Sequence, residues 1–174
     1  MVKPLTAAGG REAEFESEAL PHLDDLYRMA VRMTGDRSRA EDAVQEAYLQ
    51  AWKSFHKFEK GTNCKAWLYR ILFYTVHHQR RKLFRFPAAN EAEESIENTL
   101  AAPEPVAEVL RDEDILKALD SIPEDYRSAI LLVDVEEFAY KEAAQILRVP
   151  IGTVMSRLNR GRAQLRRRLA GIAR

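Results

Sequence analysis

Apolar residues in this chain recur at steps of three and four, the period of an amphipathic helix, and hardly anywhere in strict alternation. The pattern becomes helical near Glu12. Its first stripe, Leu23, Leu26, Tyr27, Ala30, Val31 and Met33 or Thr34, ends at Gly35, a residue suited to stopping a helix. Asp36 and Ser38 offer caps for a second helix, with Ser38 and Glu41 in capping-box spacing, and its stripe is Ala40, Ala43, Val44, Ala47, Tyr48, Ala51, Trp52 and Phe55. After a loop from His56 to Asn63, a third helix is expected from about Cys64 to Leu83, burying Trp67, Leu68, Ile71, Leu72 and Thr75. The first ten residues, MVKPLTAAGG, have no period and predict a disordered lead.

Ala88 to Glu108 is acidic, contains prolines and lacks aromatics, which predicts a flexible linker between two domains. Beyond it, Val109 to Leu119 reads as a short amphipathic helix. Ser121 and Glu124 form another capping box around Pro123, opening a helix that carries Ile130, Leu131, Leu132, Val133 and Val135. YKEAAQILRV, a turn of about four residues and the longer basic segment GTVMSRLNRGRAQLRRRL then follow the helix-turn-helix pattern. The expected architecture is all-α, with two small helical domains at 12–87 and 109–174, a lead at 1–11 and a linker at 88–108.

Composition narrows the function classes. Seven glycines and seven prolines in 174 residues leave little room for sheets and turns, the single Cys64 excludes an internal disulfide, and no apolar run suggests a signal peptide or membrane span. A cytoplasmic protein with no membrane insertion is expected. Net charge is zero, but its layout is uneven. Six basic residues and no acid lie from Gly61 to Pro87, twelve acids against Arg111 and Lys117 from Ala88 to Asp125, and nine basic residues against Glu142 from Lys141 to Arg174. Two basic blocks around an acidic one suit a polyanion met at two places, with solvated helix faces as the plainer alternative.

In the carboxyl-terminal segment Val154, Leu158, Gly161, Leu165 and Leu169 make one buried face. Thr153, Ser156, Arg157, Arg160, Gln164 and Arg167 project elsewhere, where they could enter a major groove. Gly152 and Thr153 would open this helix with free N–H groups near a phosphate. Ten of the fifteen aromatics fall between Tyr48 and Phe86, overlapping the first basic block, and aromatic faces beside cations are what single-stranded DNA requires. Trp52, Phe55 and Trp67 belong to core stripes, so Phe58, Tyr69 and Tyr74 are the free candidates. Leu49 stands on the polar face of the second helix with Asp42, Gln45, Glu46 and Lys53, a position that can mark a partner site. Catalytic constellations are missing: His77 and His78 point to different sides of a helix, Cys64 has no second thiol with which to share a metal, and there is no glycine-rich phosphate loop. No enzyme activity, metal or cofactor is expected. A stand-alone helix-turn-helix regulator and a metal-dependent hydrolase using Cys64 and histidines are the rival readings.

The blocks DAVQEAYLQAW, KAWLYRI and GTVMSRLNRGR, in this order and separation, resemble those of the bacterial extracytoplasmic-function (ECF, group 4) sigma factors of the sigma-70 family, over nearly the whole chain. The resemblance implies that residues 12–87 are sigma region 2 and 109–174 sigma region 4. It further implies that the protein binds core RNA polymerase, recognises and melts a −10 promoter element, and binds a −35 element through the helix-turn-helix. By position, Asp42, Gln45, Glu46 and Leu49 would lie against polymerase. Phe58, Gly61, Thr62, Asn63, Lys65, Arg70 and Tyr74 would hold the single-stranded −10 element, with a base turned out near Asn63. Thr153, Met155, Ser156, Arg157 and Arg160 would meet the duplex −35 element, where Met155 departs from the cation some members carry and suits a thymine methyl instead. An anti-sigma factor is the partner the resemblance implies for control.

Overall fold

The computed structural model describes residues 6–83 and 112–172, and all regular structure among them is helical. The stretch 88–108 expected to be a linker lies outside the described residues. Four helices make the first domain: α1 (Thr6–Ala19), α2 (Leu23–Thr34), α3 (Arg37–Ser54) and α4 (Cys64–Leu83). Four more make the second: α5 (Asp112–Asp120), α6 (Glu124–Ile130), α7 (Tyr140–Leu147) and α8 (Ile151–Ile172).

In the first domain α2, α3 and α4 pack on one another through Leu26, Met29, Ala30, Ala40, Ala43, Ala47, Ala51, Leu68 and Leu72, all essentially inaccessible. The alanines of α3 let its neighbours approach closely. Gly35 ends α2 in the left-handed region, at φ +66°, with its N–H donating to the Val31 carbonyl at 2.8 Å; an L side chain there would be strained. Asp36 caps α3, its Oδ1 accepting from the Arg39 N–H at 2.8 Å, so the aspartate serves and the Ser38 box is not the cap.

Helix α1 begins at Thr6, inside the stretch expected to be a disordered lead. The reason is tertiary. Phe15 is buried edge-on against Trp52 and Phe55, with centroids at 5.2 Å in both cases, and Arg11 Nη2 donates to the Trp52 carbonyl at 2.8 Å with its guanidinium over the same indole. The Tyr48 hydroxyl donates to the Ala19 carbonyl at 2.7 Å. A helix pinned at these points extends back through Ala7 and Ala8 at little cost.

In the second domain α5, α6 and α7 all pack against α8. Val154 and Leu158 are buried, and Gly161 allows the closest approach, since a Cβ there would stand 3.0 Å from Ile130 Cδ1 and Tyr126 Cβ. The expected capping box at Ser121 does not form. Its hydroxyl donates to the Ala118 carbonyl at 2.7 Å, closing α5, while Pro123 is the cap residue of α6 and Glu124 and Asp125 face the amino-terminal dipole. After Ile130 the helix widens into a π-helical turn, Leu131–Val135, and the chain turns through Glu137 at φ +58° to bring buried Phe138 inward. Arg148 ends α7 in the left-handed region, and three residues, Arg148 to Pro150, separate α7 from α8.

The two domains meet along α4, which packs on α7. Tyr69 of α4 is fully buried, its ring 5.1 Å from that of Phe138 in a T-shaped pair. The third helix is therefore buried on a second face beyond the stripe its period predicted.

Candidate nucleic-acid interface

Three surfaces hold the residues expected to bind partners. On α3, Asp42 and Gln45 are exposed, Leu49 is 45% exposed beside them, and Glu46 is half-buried and accepts from Gln50 Nε2 at 2.7 Å. Acids and amides thus ring an apolar side chain that nothing in the fold covers.

The second surface is the loop before α4 and the outer side of that helix. Asn63 is the residue before α4, and its Oδ1 accepts from the Ala66 N–H at 3.0 Å, the usual cap geometry. Its Nδ2 donates to Glu142 Oε1 at 2.8 Å, across the domain boundary. Glu142 itself closes the first turn of α7, its Oε2 accepting from the Ala139 N–H at 3.0 Å. One carboxylate therefore caps a helix and holds the other domain. Lys65 lies two residues on, Nζ 3.0 Å from Glu136 Oε2 and 3.3 Å from Asp25 Oδ2, while Arg32 reaches Glu136 Oε1 at 3.6 Å.

The Glu136 side chain is only 8% exposed and its partners are partly exposed, which makes this a partly buried cluster of two cations and two acids around one buried carboxylate. Burial works against the Lys65 charge, but Glu136 and Asp25 outweigh it and hold its pKa above the ordinary value. Asp25 is likewise resisted by burial, but Lys65 and then Arg28 pull it below the usual carboxylate range. The Tyr69 hydroxyl is buried beside these groups without a hydrogen-bond partner; burial first and Glu136 second push its pKa upward. Farther along α4, Arg148 sits over the Tyr74 ring at 5.4 Å, and Arg80 contacts Glu124 directly.

Among the residues expected to meet single-stranded DNA, two are not surface groups. Phe58 is in the core, stacked on Phe55 at 5.8 Å and against Trp67 at 5.0 Å, because the short helical turn Phe55–Lys57 folds it inward. Tyr69 is covered by Phe138. Gly61, Thr62, Arg70 and Tyr74 are exposed, Tyr74 by 57%. Between α3, α4 and α7 lies an open groove of about 1110 Å³, lined by Trp67, Arg70 and Tyr74 on one wall and Glu142, Gln145 and Arg148 on the other.

The third surface is the start of α8. Met155, Ser156 and Arg160 are exposed and Thr153 is half-buried. The Thr153 N–H donates to the Pro150 carbonyl at 2.9 Å, so it is not free for a phosphate as expected; the proline carbonyl closes the first turn. Arg157 Nη2 stands 2.7 Å from Asp125 Oδ2, and Arg162 binds Asp134 through both Nε and Nη2, at 3.0 and 2.5 Å. Periodicity missed Glu136, Phe138 and Glu142, since it marks a buried face without naming what covers it. The spacing of Glu142 from Ala139 carried no sign of its role, since alanine has no side-chain acceptor with which to complete a capping box.

The comparisons with known proteins agree with this geometry. Residues 20–85 match the model of Sigma-70 region 2, and residues 112–165 that of Sigma-70, region 4. The chain is 37% identical over 153 residues to the ECF RNA polymerase sigma factor SigE of Mycolicibacterium smegmatis, covering 86% of this chain and 59% of that relative's length. It is 34% identical to the ECF RNA polymerase sigma factor EcfG of Rhodopseudomonas palustris, covering 85% of this chain and 81% of the relative. In structure it matches a chain of the co-crystal of the sigma factor RpoE with the anti-sigma factor NepR from Bartonella quintana, at 33% identity and TM-score 0.73, over 90% of this chain and 97% of that one. The chain belongs to the ECF RNA polymerase sigma factors of the sigma-70 family.

Proposed function

We propose that this chain is a group 4 sigma factor that binds core RNA polymerase in the cytoplasm and directs it to promoters, performing no covalent chemistry of its own. Region 2 melts and holds the −10 element through Gly61, Thr62, Asn63, Lys65, Arg70 and Tyr74. Region 4 binds the −35 duplex through Thr153, Met155, Ser156 and Arg160, with Arg157 holding the helix to α6. Asp42, Gln45, Glu46 and Leu49 form the polymerase contact. The observation that carries this reading is the coexistence, in one chain matching both sigma regions, of the exposed Leu49 face and the exposed start of α8. A stand-alone DNA-binding regulator has no use for the first. Among the described residues no helix is long and apolar enough to cross a membrane, and no cluster of His, Cys, Asp and Glu could hold a metal. The RpoE co-crystal supports an anti-sigma factor as the restraining partner here too.

The test is reconstitution. Core polymerase with this chain should give promoter-specific run-off transcripts, and Glu46→Lys should abolish core binding while leaving duplex binding by region 4 intact. A wild-type chain that does not bind core would end the proposal.

A further inference from the structure

Helix α8 opens on two turns with an unusual outer face for a reader of polyanions. Val154 and Leu158 point into the domain, and opposite them Ile151 and Met155, one turn apart, are 48% and 53% exposed. Among the described large apolar side chains only Tyr74 is more exposed. Their exposed neighbours are Gly152, Ser156 and Asn159, none of them charged. The Ser156 hydroxyl donates to the Thr153 carbonyl at 3.0 Å, which leaves it as an acceptor. The first cation of the helix, Arg157, is paired with Asp125, and Arg162 with Asp134, so each guanidinium must leave a carboxylate before it can fork onto a guanine edge. The exposed cations flanking the couple are Arg148, whose guanidinium lies over the Tyr74 ring, and Arg160, more than a turn beyond Met155.

In the major groove the only apolar group on a base edge is the C5-methyl of thymine. We propose that Ile151 and Met155 form an apolar couple that takes thymine methyl groups, so that the −35 element is chosen by hydrophobic contact rather than by arginine–guanine pairing. This rests on the reading of α8 as the −35 helix. Met155, unbranched and polarizable, adapts to the depth of the methyl, while Ile151 presents a stiffer surface one turn nearer the helix start.

The test uses holoenzyme assembled from core polymerase and the full chain. It first selects its duplex element from a randomised library; each thymine of that element is then replaced by uracil, which removes the methyl and nothing else. At the positions under the couple, affinity should fall about three- to fourfold per methyl, the worth of one buried methyl-sized group. Met155→Ala should lose a similar factor and become indifferent to uracil at one of those positions. Arg160→Ala should weaken binding to every element yet keep the uracil response. A selected element without thymine there, uracil tolerated at full affinity, or a Met155→Ala variant that weakens without losing its uracil response would overturn the couple and leave the −35 reading standing. A holoenzyme that selects no element would remove the −35 reading itself.

Discussion

The two surfaces expected to meet DNA are opposite in state. The start of α8 stands open, with Ile151, Met155 and Ser156 exposed, whereas the loop before α4 and the helix itself are held by acids of the second domain. Glu142 takes the Asn63 amide, Glu136 takes Lys65 and Arg32, and Glu124 takes Arg80. On the proposed reading, carboxylates stand where phosphates would have to come. The difference teaches, on that reading, that the duplex reader is ready in this arrangement while part of the strand reader, Asn63 and Lys65, is engaged by the second domain; freeing those two requires the domains to part at Tyr69 and Phe138.

The largest effect should come from preventing that parting. With Arg80 and Glu124 both replaced by cysteine and bridged by a short bis-maleimide, run-off transcription should fall by at least about tenfold relative to the unbridged double variant, with −35 duplex binding unchanged. Equal activity in bridged and unbridged protein would mean that closure is irrelevant to the −10 face. Cys64 will not interfere, being buried, with burial and then Glu18 pushing its thiol up to about 11.

Next in size, Glu136→Gln releases Arg32 and leaves Lys65 with Asp25 alone, and binding of a −10 single strand by the free chain should rise about tenfold, the worth of one charge-assisted contact. An unchanged affinity in a fluorescence titration would count against the acid as the restraint. Gly161→Ala tests the packing beneath the start of α8 alone. Crowding against Ile130 and Tyr126 outweighs the helix-propensity gain and should cost region 4 a net of about 1 kcal/mol in thermal unfolding, with the −10 affinity untouched.

The smallest effect is the pH response. A lowered Asp25 contributes stability above its ordinary 3.8 that is lost as pH falls through its folded value, and a raised Lys65 contributes below 10.5 what is lost as pH climbs through its own. Closure followed by single-strand binding should therefore be flat from about pH 7 to 9. His22, lowered from 6.5 by burial and then by Lys65, resists protonation, so stability present above 6.5 should erode slightly as pH drops toward its folded value. His22→Gln should remove that erosion; if the slope persists, another group is responsible.

Much of each domain was readable in advance because its determinants are local. The bounds of α4, the stop at Gly35, the Asp36 cap and the buried Val154–Leu158 face all follow from neighbours within a turn or two. What failed was settled at longer range. Phe15 pins α1 to residues some forty positions away, and Phe58 folds under Trp67 although nothing in its spacing says so; Ser121 is the local exception, its hydroxyl going to the Ala118 carbonyl three residues back. Tyr69 looked free because the α4 stripe leaves it outside, and only Phe138, from the other domain, closes that side. The candidate residues were legible as types. Which of them already had partners was not, because a charge pattern records signs and not pairings.

The placing of Glu136 and Glu142 has a consequence for salt. Cations on an open protein that neutralise phosphates let the nucleic acid shed its condensed counterions, and affinity then falls steeply as ionic strength rises. On the proposed reading Lys65 exchanges one anion for another, and added salt loosens the clamp while it weakens the grip on the strand. The two responses oppose each other, so the apparent salt slope of the free protein for a single strand should be shallower than its number of phosphate contacts implies.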